Sequence, residues 1–136
     1  MSISSYADLI SAAQSQSQPQ RLLFVFTRAE LPANADAQQK ARFEQGQGGV
    51  LTPIACVDKL PQDIARFEGL VEESRLMNID WDVAFIGALA GQNNQPPSRE
   101  SCEGPLKAMV ERIKQGNIGS YLALRKDGEL IQLNAV

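Results

Sequence analysis

The sequence predicts an α/β fold: a single layered domain over residues 1–136, with helices covering a mostly parallel sheet and an antiparallel hairpin at the C-terminal end. Three observations lead there. Residues 83–90, VAFIGALA, carry no polar side chain, which reads as a strand covered on both faces. A surface strand would alternate, and Gly87 would weaken a helix. Apolar, β-rich runs then alternate along the chain with amphipathic helical patterns. Finally, Asp127-Gly128 sits between two apolar runs, the signature of a tight hairpin.

The first helix starts at Ser4 or Ser5, whose hydroxyl can cap it, with Asp8 in the first turn. Tyr6, Leu9, Ile10 and Ala13 form its apolar stripe. It ends in the polar tract of residues 14–20, QSQSQPQ, so residues 1–20 read as a helix plus a Gln/Ser linker. The first strand is LLFVFT, residues 22–27. Asp36 with Gln39 three residues on forms a capping box for a short helix to Gln45, with Ala37, Ala41 and Phe43 inward. The second strand, residues 50–58, contains Pro53, which cannot donate to a ladder, so the strand is an edge or starts there. A helix over residues 61–77 follows, with Ile64, Phe67, Leu70 and Val71 on one side. Trp81 reads as a core lid at the mouth of the third strand, residues 83–90.

The segment 91–104 is polar and proline-rich, a loop of about fourteen residues, where function or disorder concentrates. Leu106, Met109, Val110 and Ile113 then repeat at helical spacing, and Gly116 ends that helix. In the hairpin, a type I′ turn at Asp127-Gly128 would set Lys126 opposite Glu129, Leu124 opposite Ile131 and Leu122 opposite Leu133. Right-handed crossovers and Pro53 at an edge favour the strand order 2-1-3. The alternative is an α+β fold in which strands one and two pair antiparallel, which the short helix between them allows.

Composition excludes several functions. The chain contains no histidine, which removes the commonest general base and transition-metal ligand. No metal set, Walker loop or dinucleotide fingerprint is present, so no metal or cofactor is expected. A net charge of −3 without a basic cluster argues against nucleic acid. No apolar run reaches the length of a membrane span, and no secretion signal is visible. Cys56 and Cys102 therefore read as free thiols in a reducing cytoplasm. Cys56 falls in an apolar strand and reads as buried, whereas Cys102 lies just before a helix, where a thiolate would be favoured.

In an open parallel sheet, ligands collect beyond the carboxyl ends of the strands. Those ends carry Thr27, Arg28 and Glu30, then Asp58 and Lys59, then Asn93, Asn94 and Ser98. Arg28 or Lys59 could hold an anion and Asp58 or Glu30 could act as a base, although polar residues stand wherever strands meet water. The leading expectation is a small non-enzymatic module that binds a protein partner or itself as a homodimer, through the Pro53 edge or the hairpin's free edge. Anion binding or catalysis at the strand ends is the second reading, and thiol chemistry at Cys102 the third.

The stretches SSYADLISAA, RLLFVFTRAELP, LTPIACVDKLP, LVEESR and WDVAFIGALAG are similar to a family of small proteobacterial proteins of about this length, often labelled ribonucleotide reductase alpha subunit. The resemblance implies a bacterial cytoplasmic protein. It carries over no catalytic residue: two isolated cysteines match neither the radical-bearing cysteine nor the redox pair of that reductase.

Overall fold

A computed structural model describes residues 3–31, 34–45 and 50–131. Four helices, α1 (Tyr6–Gln14), α2 (Ala37–Glu44), α3 (Phe67–Leu76) and α4 (Glu103–Lys114), accompany five strands, β1 (Gln20–Glu30), β2 (Val50–Lys59), β3 (Val83–Ala90), β4 (Leu122–Arg125) and β5 (Leu130–Ile131). The strands form one sheet in the order β2-β1-β3-β4-β5. Every neighbouring pair is antiparallel, which corrects the mostly parallel sheet expected from the alternation of elements.

The reason lies in what the helices do. The capping box of Asp36 and Gln39 forms as the sequence suggests, but α2 buries no residue. It is therefore no crossover packed on the sheet, and β2 returns directly alongside β1. β2 and β3 run in the same direction, joined through α3, but β1 lies between them. The helix-linked parallel unit that the pattern suggests is thus split by an antiparallel strand. β1 stands between β2 and β3, so the adjacency was legible and the direction was not.

Both faces of the sheet are covered. On one face, Tyr6, Leu9 and Ile10 of α1, Leu70 of α3 and Trp81 pack against Leu22, Phe24, Phe26 and Ile86. On the other, Leu106, Met109 and Ile113 of α4 pack with Cys102 against Leu23, Val25, Phe85 and Ala123. Leu22 to Thr27 are all buried, making β1 the driest strand. β3 is dry only in part: Ala84, Phe85 and Ile86 are buried, whereas Ala88 and Ala90 are exposed. Trp81 is 1% exposed and donates its indole N–H to Ser74 Oγ at 3.0 Å, so the expected lid is a core residue. The expected single helix over residues 61–77 is a 3₁₀ turn (Pro61–Ile64) followed by α3.

β2 is an edge, as Pro53 requires. A bulge at Ile54 shifts the register: Phe26 pairs with Ala55, while Thr27 pairs with Pro53. The hairpin register differs from expectation by one residue, with Leu124 opposite Leu130 and Ala123 opposite Ile131. Gly128 takes a φ of +93°, but Asp127 does not join it in the left-handed region, so the turn is not type I′. Gly128 N–H donates to Arg125 O at 2.9 Å and Arg125 N–H to Glu129 O at 2.8 Å, a three-residue loop closed by a glycine bulge. Asp127 accepts from Glu129 N–H at 3.0 Å, which favours this geometry. Leu133, the third expected partner, lies outside the described residues.

Candidate functional site

An antiparallel sheet sends the carboxyl ends of neighbouring strands to opposite ends, and this separates the residues expected to share a cleft. Arg28 pairs with Thr52, whereas Lys59 pairs with Leu22. The two groups are about 20 Å apart along β1, by the usual strand rise.

At the first end, Thr27 is fully buried and donates its hydroxyl to Val83 O at 2.7 Å. Arg28 Nε–H donates to Asp80 O at 2.9 Å, and Glu30 accepts from the Thr52 hydroxyl at 3.3 Å. Asp82 accepts Ala29 N–H at 2.7 Å. Lys126 Nζ donates to the Asp80 carboxylate at 3.0 Å, and this hydrogen bond, with the ammonium charge, holds that carboxyl below the usual range. These contacts tie the end of β1 to the segment entering β3.

At the second end, Asp58 meets Arg21 at 2.9 Å and Arg99 at 3.6 Å, and Arg21 Nε–H also donates to Pro97 O at 2.8 Å. The Arg21 and Asp58 side chains are only 13% and 12% exposed, so their pairing anchors the loop after β3. Lys59 pairs with Glu73 of α3, on the opposite face from Asp58. Asn93 and Asn94 have φ values of +53° and +61° and form the turn bridged by Gln92 and Gln95. Asparagine tolerates that conformation, which explains both residues without a ligand. Ser98 lies just before the 3₁₀ turn Glu100–Cys102, its hydroxyl accepting from Ser101 N–H at 3.1 Å. Of the eight expected site residues, the structure brings Asp58, Asn93, Asn94 and Ser98 to one end, leaves Lys59 there on the other face, and places Thr27, Arg28 and Glu30 at the far end.

The two thiols exchange the roles expected of them. Cys56 is exposed, because every second residue of an uncovered edge strand looks outward, and Cys102 is buried. Burial, with the Asp58 carboxylate nearby, pushes the Cys102 thiol up, only partly offset by Arg21. Among the described residues, no group of three His, Cys, Asp or Glu could hold a metal, and no helix is long and apolar enough to cross a membrane.

A concavity lies elsewhere, at a gap in the sheet. β4 pairs with only the first half of β3, ending at Ile86 opposite Leu122. β1 accompanies β3 to its end, Ala90 opposite Gln20. Among the described residues, no strand therefore accompanies residues 87–90 of β3 on one side. Beside them opens a cleft of about 620 Å³. Leu9 and Ala12 of α1, with Gln16 just beyond it, form one wall, Pro105, Ala108 and Arg112 of α4 the other, and Ser120, Tyr121 and Leu122 one end. Ala12 and Ala13 on α1 and Ala108 on α4 are the small side chains of these walls. Gly87 lets Met109 lie against the strand, since a Cβ there would stand 3.1 Å from the thioether sulfur.

The backbone facing this cleft can be assigned. Gly91 N–H donates to Pro19 O at 2.8 Å, so the odd residues of β3 direct their amides to β1. The even residues point the other way. Ala84 and Ile86 meet β4, and Ala88 and Ala90 turn N–H and C=O to the unpaired side, Ala88 at the cleft itself. The sequence carries little sign of this gap: residues 121–126 read as a six-residue strand, whereas β4 has four residues against the eight of β3. No family model, curated protein or solved structure matches the chain.

Proposed function

We propose that this protein is a small non-enzymatic binding module, and that the gap in its sheet takes an extended segment of a partner protein as an added strand. One observation carries the reading: the backbone donor and acceptor of Ala88, which no described strand pairs, line a largely apolar cleft walled by two helices, and those of Ala90 follow on the same side of β3. Main-chain hydrogen bonds would supply affinity there, and the side-chain walls would supply selectivity.

The other edges are poorer candidates. β2 is blunted by Pro53 and the bulge at Ile54, two devices that oppose edge pairing. The outer side of the hairpin is bridged by Ser5 to Glu129. The β3 gap is recessed between α1 and α4, so the same gap of a second copy cannot approach it; a single extended chain can. An enzymatic reading finds no comparable support, because the strand-end residues are separated and paired, and the Cys102 thiol is buried. The free thiols and the family resemblance support a bacterial cytoplasmic setting.

The test is selection of eight-residue segments from a random display library on the full chain. Enriched segments should slow hydrogen exchange at the Ala88 and Ala90 amides. Ala108→Trp, which fills the cleft, and Ala88→Pro, which removes a donor, should abolish their binding while the protein remains a folded monomer by light scattering. Absence of enrichment, or binding indifferent to both substitutions, would overturn the proposal.

A further inference from the structure

We infer that the segment accepted by the β3 gap carries an Asp or Glu within a run of small apolar residues, its carboxylate meeting Arg112. This rests on the reading of the gap as a strand-accepting groove and specifies its occupant.

Three features lead to it. First, a chain added beside Ala88 and Ala90 would send alternate side chains toward α1 and toward α4, as strand geometry requires. It would meet Leu9 and Ala12 on one side and Ala108 and Met109 on the other. Both faces are apolar, so the entering segment needs small apolar residues at consecutive positions and not at every second one. The alanines leave room for side chains of about alanine or valine size, while aromatic ones would collide with the walls.

Second, Arg112 is the single charged side chain among the described residues lining the cleft. Its neighbours on α4, Glu111 and Lys114, pair with each other at 3.7 Å, and no described carboxylate pairs with Arg112. The exposed guanidinium at the cleft wall can take a carboxylate through paired, charge-assisted hydrogen bonds.

Third, the cleft does not end where the apolar walls end. It shares Ala13, Gln16 and Gln20 with a second hollow of about 430 Å³ that also contains Gln62 and Asn94. A bound chain can continue over these amides, so nothing in the shape demands a terminus. The acidic group is therefore assigned to a side chain and not to a free C-terminal carboxylate.

The experiment uses segments displayed internally, with no free C-terminus, selected in parallel on the native chain and on R112A and R112E. The native chain should enrich consecutive Ala, Val or Gly residues with one Asp or Glu at a constant spacing. Changing that acid to its amide should weaken binding about tenfold, the usual order for a lost charge-assisted hydrogen bond. R112A should retain the apolar preference and lose the acidic one, and R112E should select Lys or Arg instead. Arg112 is exposed, so neither substitution threatens the fold. Enrichment of apolar segments with no acid, an acidic preference that survives R112E, or binding only when a C-terminus is free would overturn this inference and leave the groove standing. Failure to enrich any segment that A108W blocks would overturn the groove itself.

Discussion

Proline substitution along β3 separates the two sides of that strand. Leu89 faces β1 with its amide, opposite Arg21, and its side chain is half-buried against the α4 face. Leu89→Pro removes one ladder donor and leaves a carbonyl of β1 without its partner, at a cost of about 1–3 kcal/mol. Loss of the leucine's packing adds about 1 kcal/mol. The total is about 2–4 kcal/mol, or a fall in Tm of roughly 8–15 °C for a chain of this size. Ala88 is exposed, and its amide points into the cleft, where no strand pairs with it. Ala88→Pro therefore loses no ladder bond, and its cost is the constraint on φ, about 1 kcal/mol. Thermal melts of the two variants beside the native chain measure the difference. Equal destabilisation, or a greater loss at Ala88, would refute the assignment of even residues to the open side.

Further outcomes follow from the same structure. Cys56 should alkylate rapidly at neutral pH and Cys102 only as the chain unfolds, because the first is exposed and the second is buried with a raised pKa; equal rates by mass spectrometry would contradict this. The Asp8 carboxylate accepts from Ser4 N–H and its hydroxyl at 3.1 Å and 2.9 Å, which holds its pKa below the usual 3.8. A depressed carboxyl pKa stabilises the fold above the unfolded value, and the contribution is lost as pH falls through the folded value. Asp8→Asn should therefore lower Tm at neutral pH and flatten its decline below about pH 4, while an unchanged acid limb would speak against the cap. Trp81→Phe removes the indole donor to Ser74 and part of the packing on Phe26, whose ring centroid lies 5.3 Å away. It should cost about 2–3 kcal/mol in denaturant melts, and a neutral substitution would show that the lid is not part of the core.

Local features were readable from the sequence where one residue type decides them. Ser5 accepts from Asp8 N–H and caps α1, Asp36 and Gln39 form their box, and Pro53 marks an edge, each because a side chain or its missing donor acts within a few positions. Strand direction is not encoded that way. It depends on whether the intervening helix packs on the sheet, and α2 has the cap of a helix without the buried face of a crossover. Once direction was misjudged, the predicted site failed with it: Thr27 and Asp58 end successive strands in sequence but face opposite ends of an antiparallel pair. The hairpin shows the same limit at smaller scale. Asp-Gly suits either a two-residue or a three-residue loop, and the choice moves every pair by one. The cleft is not legible in the sequence because it is made by an absence, the four positions of β3 that β4 does not reach, and no single residue announces a missing neighbour.

Residue-resolved amide hydrogen exchange on the unliganded chain tests the open side of β3 most directly. Ala84 and Ile86, paired with β4, and Gly87 and Leu89, paired with β1, should exchange slowly. Ala88 and Ala90 should exchange orders of magnitude faster than these immediate neighbours. Uniform protection from residue 84 through residue 90 would contradict the gap in the sheet, and with it the binding groove.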